Sequence, residues 1–166
     1  MPDVFTKAKR SDVMSRIRSR GNKDTELTLV ALFRAEGITG WRRQQRIRCN
    51  VQRPTPNAER SKLSVGRWKF FSVVPDFVFP KLRLAVFVDG CFWHACPLHT
   101  TKPKGNAAFW RRKFATNKAR DLLVNRTLRK AGWLVLRIWE HELRAQNRSR
   151  CVRRVRRFTM VEDAMD

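Results

Sequence analysis

Residues 89–99 have the sequence DGCFWHACPLH, which places two cysteines, two histidines and two aromatic side chains at the end of one apolar run. The spacing Cys91-x4-Cys96-x2-His99 supplies three soft or borderline metal ligands, and His141, after the apolar segment 133–139, can complete a tetrahedral set. We therefore predict a structural zinc site. The alternative is that both cysteines are small buried hydrophobic residues and that the histidines are solvated polar side chains.

The composition indicates a polyanion as the partner. The 166-residue chain has 37 Lys and Arg against 14 Asp and Glu, a net charge of +23, so its surface must carry a strongly positive field. No apolar stretch approaches the ~20 residues of a spanning helix, and the N-terminus opens no signal peptide, so we expect a cytoplasmic protein that binds nucleic acid rather than a membrane. Reduced thiols favour metal binding over disulfides, whereas Cys49 and Cys151 lack ligand neighbours and are expected to be buried thiols.

The apolar pattern predicts one α/β domain with a mixed central sheet flanked by helices. A basic N-terminal segment, 1–21, precedes this domain, 22–158, and a short tail, 159–166, follows it. Residues 49–71 are rich in Pro, Ser, Asn and basic residues and are predicted to form a long surface loop. The predicted elements are a helix from Asn22 or Asp24 to Gly37, an edge strand at 41–48, antiparallel neighbouring strands at 73–79 and 84–88, a helix at 107–131, a strand at 133–139 and a helix at 140–157.

A second chemical signal is the carboxylate inside the apolar run 73–79. Asp76 follows Pro75, and burying its charge requires a cation or hydrogen-bond donors. The next predicted strand ends at Val88 and Asp89, which brings a main-chain carbonyl and a second carboxylate near the first if the strands pair. Oxygen ligands of this kind suit Mg²⁺. The alternative is that Asp76 ends a strand or pairs with one of the many arginines.

Several blocks of the sequence together resemble the very short patch repair (Vsr) endonucleases. They are Pro75-Asp76-Phe77, VFVDGCFWH at 86–94, Phe109-Trp110, Asn117 with Arg120-Asp121, and Gly132-Trp133 through Trp139-Glu140-His141. The order and spacing match over most of the chain, and the DGCFWH block is the most specific. The resemblance implies a restriction endonuclease-like core related to PD-(D/E)xK nucleases, a structural zinc, and Mg²⁺-dependent nicking 5′ of the thymine in T:G mismatches, which arise when 5-methylcytosine deaminates.

The resemblance also implies roles for individual residues. Asp76 corresponds to the metal-binding aspartate, and Val88 to the residue whose main-chain carbonyl is a metal ligand. His94 resembles the histidine beside the scissile phosphate, which acts as general base towards water or positions it. Glu26 corresponds to the acidic residue that reaches the metal-water shell, and Asp121 to the aspartate that partners the histidine.

Other matching positions concern DNA recognition. Phe92, Trp93 and Trp110 resemble the family's aromatic wedge, which enters the base stack beside the mismatch. Met14 resembles the apolar residue that relatives insert from the opposite groove, and Asn117 is a further candidate for DNA contact. The alternative is that the aromatic residues belong to the core and that Met14 packs on the domain.

The chain departs from the family pattern at two places. Asp89 occupies a position where some relatives have histidine, which leaves its role open between metal contact and positioning. The loop 49–71 is longer than usual and can alter DNA placement or target preference. No lysine stands where an ordinary PD-(D/E)xK motif has one, so His94 must serve in its place, and this agrees with the Vsr pattern rather than with the generic one.

The partner implied by the resemblance is double-stranded DNA with a T:G mismatch. The family works beside mismatch-repair factors, and we expect a monomer. Two other functions fit the charge and the zinc ligands: a nuclease of the same fold without mismatch preference, and a zinc-stabilised DNA-binding protein without catalysis. Glu26, Asp76 and Asp121 favour a nuclease, because binding to phosphate gains nothing from carboxylates.

Overall fold

The computed structural model describes residues 21–51, 69–101, 103 and 105–160. Its strands are β1 (Arg42–Arg43), β2 (Ile47–Val51), β3 (Lys69–Val73), β4 (Phe77–Phe79), β5 (Leu84–Asp89) and β6 (Leu134–Trp139). Its helices are α1 (Thr28–Ala35), α2 (Ala107–Lys130) and α3 (Arg148–Thr159), with a π-helical turn at Lys23–Leu27 and 3-10 turns at Glu140–Leu143 and Ala145–Asn147. Among the described helices, none is both long and apolar enough to span a membrane.

Part of what the sequence predicts lies outside the described residues. This part includes the basic N-terminal segment with Met14, most of the predicted loop, and the tail beyond residue 160. The rest of the chain forms two compact units. The described residues of the first unit are within 21–39, 88–119 and 137–160, and those of the second are 40–51, 69–87 and 120–136.

The first helical region begins after Asn22 and ends before Gly37, as the sequence predicts, although its first five residues, Lys23–Leu27, are π-helical and α1 itself begins at Thr28. The Asn22 side chain accepts a hydrogen bond from the Asp24 amide at 2.9 Å, which caps the π-helical turn that leads into α1. Gly37 follows the helix at φ +65°, a left-handed conformation that glycine adopts without strain. The apolar face of α1 is buried, as the helical spacing requires: Leu29, Val30, Leu32 and Phe33.

The predicted strand at 73–79 is wrong in its extent, because the chain breaks in the middle of it. β3 ends at Val73 and β4 begins at Phe77. Pro75 lies between them, is fully buried, and has no amide hydrogen to donate to a neighbouring strand. Asp76 therefore lies at a bend directly before β4 rather than inside a continuous strand.

Both ends of the predicted loop 49–71 are extended strands instead. β2 and β3 pair antiparallel over five residue pairs, from Ile47 opposite Val73 to Val51 opposite Lys69. The loop prediction is therefore wrong at its two ends.

The main sheet has the strand order β1-β4-β5-β6. The predicted antiparallel pairing of the central strands is confirmed for β4 and β5, with Val78 opposite Ala85. The predicted edge strand at 41–48 is split, since only β1 joins this sheet, and Gln44 at φ +50° separates it from β2. In the second unit, one buried cluster forms the core: Ile47, Cys49, Val78, Ala85, Val124 and Leu128.

The predicted helix at 107–131 and strand at 133–139 are confirmed as α2 and β6 to within one residue at each end. Gly132, at φ +75°, turns the chain between them. Arg83 Nη2 donates a hydrogen bond to the Ala131 main-chain oxygen at 2.7 Å, which ties this turn to the β4–β5 connection.

The segment after β6 is not the single helix predicted for 140–157. Two 3-10 turns precede α3, and Arg144 between them is extended, with ψ 147°. Asn147 Nδ2 donates to the main-chain oxygen of His141 at 2.9 Å, which stabilises the first turn. His141 therefore lies on a short turn directly after β6, in the first unit.

Candidate metal centre and nuclease site

The chain after β5 folds into tight turns that gather the predicted metal ligands. The Cys96 amide donates to the Cys91 main-chain oxygen at 2.9 Å, and the His94 amide donates to the Gly90 oxygen at 3.1 Å. Ala95 adopts a left-handed φ of +52° between them. These turns reverse the chain, so that the two cysteine side chains meet.

The four predicted zinc ligands, Cys91, Cys96, His99 and His141, form one cluster whose ligand atoms all lie within 4.8 Å of one another. His141 Nδ1 lies 3.3 Å from Cys91 Sγ and 3.6 Å from Cys96 Sγ, and His99 Nδ1 lies 3.7 Å from Cys96 Sγ. A tetrahedral zinc with ordinary Zn–S and Zn–N bonds separates such atoms by about 3.6 Å. The donor set and its spacing therefore fit one tetrahedral ion.

Burial shifts the pKa values of two members of this cluster, Cys91 and His141. The pKa of the Cys91 thiol is raised to about 11 by burial above all, against a backbone hydrogen bond from His141 that lowers it, with the neighbouring Cys96 and Glu140 raising it further. Burial, followed by the neighbouring His99, lowers the pKa of His141. The His141 imidazole is therefore neutral near pH 7, as a metal ligand must be, and a bound metal would displace the thiol proton.

Glu140 supports the cluster from outside the ligand set. Its Oε2 accepts a hydrogen bond from the Cys91 amide at 3.0 Å, which fixes the main chain beside the ligand sulfur. Sequence reasoning assigns no role to Glu140. The available signal is its position directly before His141 at the end of β6.

The Asp89 carboxylate lies between His94 and an arginine that sequence reasoning misses. Asp89 is 4% exposed, and its oxygens accept hydrogen bonds from Arg137 Nε at 2.6 Å and Nη2 at 2.8 Å. His94 Nδ1 lies 3.6 Å from Asp89 Oδ1. Of the two roles expected for Asp89, this geometry favours positioning, because Arg137 engages both carboxylate oxygens. The sequence signal for Arg137 is a charge inside the apolar strand β6.

Arg137 is held in turn by the last helix. Arg154 Nη2 on α3 donates to the Arg137 main-chain oxygen at 2.9 Å, and Arg154 also forms an ion pair with Glu142. Glu142 Oε2 accepts a hydrogen bond from the Trp139 amide at 2.8 Å. Polar contacts therefore connect the surroundings of His94 to α3 within the first unit.

The predicted wedge aromatics form one cluster in the first unit. The Phe92 ring centroid lies 5.3 Å from that of Trp93, 5.0 Å from that of Trp110 and 5.5 Å from that of Phe114. These four side chains are only half-buried, and the adjoining Phe109 is 46% exposed. The cluster combines mutual packing with accessible aromatic surface, and Phe114 is a member that sequence reasoning does not name.

Asn117 and Glu26 are buried and bind main-chain groups in the first unit. Asn117 Nδ2 donates to the Trp93 main-chain oxygen at 2.8 Å, so the amide anchors the segment that carries the aromatic cluster. Glu26 Oε1 accepts a hydrogen bond from the Gly21 amide at 3.1 Å. Contact between Asn117 and DNA stays a prediction.

Two of the predicted catalytic residues, Asp76 and Asp121, belong to the second unit. Asp76 is half-buried, and its main-chain oxygen accepts a hydrogen bond from the Gln44 amide at 3.1 Å. Asp121 is half-buried on α2. The other predicted residues of the reaction belong to the first unit: Glu26, Val88, Asp89 and His94.

Comparison with known proteins places this arrangement in context. A family model described as DNA mismatch endonuclease Vsr matches residues 68–99. The chain is 33% identical to the Type II nicking enzyme V.NmeAIP of Neisseria meningitidis serogroup A over 168 residues, which is 99% of this chain and 100% of that protein.

Two further relatives match over shorter stretches. The chain is 53% identical to the Type II nicking enzyme V.NaeI of Lentzea aerocolonigenes over 70 residues, which is 42% of each chain. It is 37% identical to the DNA mismatch endonuclease Vsr of Escherichia coli K12 over 75 residues, 45% of this chain and 48% of that protein. The chain therefore matches less than half the length of these two relatives.

Proposed function

Because this chain belongs to the Vsr family of DNA endonucleases, we propose that it nicks duplex DNA on the 5′ side of the thymine in T:G mismatches, with Mg²⁺ as the catalytic ion. The observation that carries this proposal is the arrangement of residues 89–99. This one segment supplies three of the four candidate zinc ligands and two members of the partly exposed aromatic cluster. It also carries His94, which lies beside the buried Asp89 carboxylate.

The proposed zinc has a structural role. The ion would be held by Cys91, Cys96, His99 and His141. Four protein ligands complete a tetrahedral zinc site and leave no open position for substrate. A bound ion would join the turn after β5 to the turn after β6. His94 lies between two of these ligands in sequence, so a rigid metal-bound turn would fix its backbone.

The proposed Mg²⁺ ligands are the Asp76 carboxylate and the main-chain carbonyl of Val88, since oxygen donors of this kind are those that Mg²⁺ prefers. When bound, the ion polarises the scissile phosphate and stabilises charge on the leaving 3′ oxygen. His94 accepts the proton of the attacking water, or orients that water. Glu26 would bind water near the ion, and Asp121 would orient His94, as the family resemblance implies.

Recognition of DNA rests on charge and on aromatic stacking. The net charge of +23 attracts the phosphate backbone without regard to sequence. Phe92, Trp93 and Trp110 would enter the base stack at the mismatch, with Met14 inserted from the opposite groove, because a T:G pair is easier to unstack than a regular pair. We expect the protein to act as a monomer and, as in its family, beside mismatch-repair factors.

A nicking assay tests this proposal directly. The protein is incubated with end-labelled duplexes that carry T:G, C:G or T:A at one position, in Mg²⁺ or in EDTA. We expect one strand to be cut beside the thymine of the T:G duplex, in Mg²⁺ only. Asp76→Ala and His94→Ala should abolish most nicking while DNA affinity is largely retained, since the positive surface supplies most of the binding energy.

The second candidate is a nuclease without mismatch preference. The names of two relatives, Type II nicking enzymes V.NaeI and V.NmeAIP, favour nicking without specifying a mismatch. Equal cutting of T:G and C:G duplexes would support this candidate. Binding without cutting in Mg²⁺ would contradict both and would leave a zinc-stabilised DNA-binding protein.

A further inference from the structure

The ion pair between Asp89 and Arg137 lies directly beside His94 in the first unit. We propose that Asp89, held by Arg137, is a positioning residue that sets the tautomer and orientation of the His94 imidazole. This inference rests on the proposed function in taking His94 as the base of the nicking reaction. It assigns to this chain a partner for His94 at the position where some relatives have histidine.

Arg137 fixes the Asp89 carboxylate. Two hydrogen bonds, of 2.6 Å and 2.8 Å, join the planar guanidinium to the two carboxylate oxygens. The Asp89 side chain is 6% exposed and that of Arg137 is 19% exposed, so water competes little for this pair. A bidentate arginine fork restrains both the position and the rotation of the carboxylate.

The fixed carboxylate selects one tautomer of the His94 imidazole. Asp89 Oδ1 lies 3.6 Å from His94 Nδ1, a separation that a shift of a few tenths of an ångström brings to hydrogen-bond length. Such contacts commonly tighten when substrate binds. A carboxylate can only accept, so it favours the imidazole tautomer with the proton on Nδ1. Nε2 then keeps its lone pair and can take the proton of the attacking water.

The pair of Asp89 and Arg137 is built into the fold rather than free on the surface. Asp89 ends β5 and Arg137 lies on β6, and the main chain of Arg137 is bound by Arg154 of α3. The His94 amide is bound by the Gly90 oxygen, so the imidazole is also restrained from its backbone side. Imidazole, carboxylate and guanidinium therefore have little freedom to move apart.

The test begins with Asp89→Asn. The charged Arg137 should retain the amide oxygen of the new side chain, which turns the NH₂ group towards His94 and reverses the preferred tautomer. We expect the single-turnover nicking rate at saturating T:G duplex to fall by at least about 10- to 100-fold, the range typical when a metal-ligating histidine loses the partner that orients it. The dissociation constant for the same duplex, measured with Ca²⁺ in place of Mg²⁺, should not change.

Two comparisons separate positioning from general stability. Glu36→Gln removes the carboxylate from another arginine pair, Glu36 with Arg156, and should nick like the unmodified protein. In the His94→Ala background, Asp89→Asn should not lower the residual rate further. An equal loss with and without His94, or an unchanged rate in Asp89→Asn, would overturn the proposal.

A second measurement does not depend on nuclease activity. The chain has three histidines, so long-range ¹H–¹⁵N spectra can report the tautomer of each ring in the zinc-loaded protein. We expect His94 to carry its proton on Nδ1, and on Nε2 in Asp89→Asn. A proton on Nε2 in the unmodified protein would overturn the positioning pair. Absence of nicking with the Nδ1 proton present would contradict the proposed function alone.

Arg137→Lys provides the test if Asp89→Asn does not fold. Lysine keeps a cation beside the buried carboxylate but removes the planar fork. We expect a folded protein with slower nicking and unchanged DNA affinity. Folded Arg137→Lys protein that nicks at the unmodified rate would contradict the proposal.

Discussion

Arg137 brings a permanent positive charge into strand β6, and Asp89 neutralises it. Asp89 is 4% exposed, so Arg137→Met would leave its carboxylate buried without this partner. We expect the free energy of unfolding to fall by about 3–5 kcal/mol, because removing one member of a buried pair strands the other charge. The same change at Arg156, whose pair with Glu36 is more than one-third exposed, should cost at most about 1 kcal/mol. Urea denaturation measures both, and equal losses would contradict the prediction.

Cys151 and Cys49 are buried, which confirms the prediction made for them from the sequence. Burial, with a smaller contribution from Glu142 and against the effect of Arg154, raises the pKa of Cys151 to about 11. Burial also raises the pKa of Cys49. Thiolate is the reactive form, so at pH 8 both thiols should stay protonated and should react slowly with maleimide in the native protein but fast in denaturant. Mass spectrometry of peptides checks this, and rapid native labelling of Cys151 would contradict it.

The side chains that sequence reasoning identifies are those with a recognisable local pattern. Cys91, Cys96 and His99 share one short segment, and the one remaining histidine, after an apolar run, is the natural candidate for the fourth ligand. Arg137 could not be found in this way, because it lies 48 positions from Asp89 and a single arginine in a strand has many possible partners. Glu140 is similarly separated from the Cys91 amide, by 49 positions. Such contacts depend on strand order rather than on spacing.

The helices and strands that are predicted correctly are likewise those with local sequence signals. Helix α2 and strand β6 are predicted closely, because apolar periodicity and a terminal glycine are local signals. The break between β3 and β4 at Pro75 and the extended Arg144 before α3 are not predicted, although both decide where site residues lie. Around Pro75 the apolar run predicts a continuous strand, although proline has no amide hydrogen to donate to a neighbouring strand. At Arg144 side-chain contacts of Asn147 stabilise turns that intrinsic helix propensity alone does not favour.

Helix α3 has a polar stripe suited to phosphate. Arg150, Arg153 and Arg157 recur at i, i+3 and i+7 and are exposed, and their side chains make no hydrogen bond or ion pair with any described residue. The opposite face is buried through Cys151, Val152 and Val155. We expect the triple change of these arginines to glutamine to weaken binding of matched and mismatched duplexes alike, because backbone contacts carry no sequence information.

The salt dependence of binding measures this effect. Removing one arginine–phosphate interaction should reduce the slope of log K against log salt by about 0.9. A charge-matched control changes Lys81, Arg129 and Lys130, exposed residues of the second unit, to glutamine. If the α3 variant and this control show the same decrease in affinity, net charge and not the α3 stripe is responsible.

The chain as a whole carries a large positive charge. The excess positive charges, which sum to +23, repel one another and destabilise the compact state. Links between distant parts of the chain offset this repulsion. A metal held by Cys91, Cys96, His99 and His141 would be such a link, because these residues lie on the turn after β5 and the turn after β6. All four cysteines are buried and unpaired as thiols in the structure, so a metal rather than a disulfide is the available link.

Zinc should therefore stabilise the protein as a whole. We expect near-stoichiometric zinc after metal-replete expression, and a lower thermal unfolding midpoint after chelation that returns when zinc is added back, because metal binding free energy becomes folding free energy. Cys96→Ser should lose both the zinc and the response to chelator. Cys151→Ala provides the matched control, since it removes a buried thiol outside the cluster and should lower stability without lowering zinc content. Metal analysis with thermal unfolding separates these outcomes, and a Cys96→Ser protein with full zinc content would show that the ligand assignment is wrong.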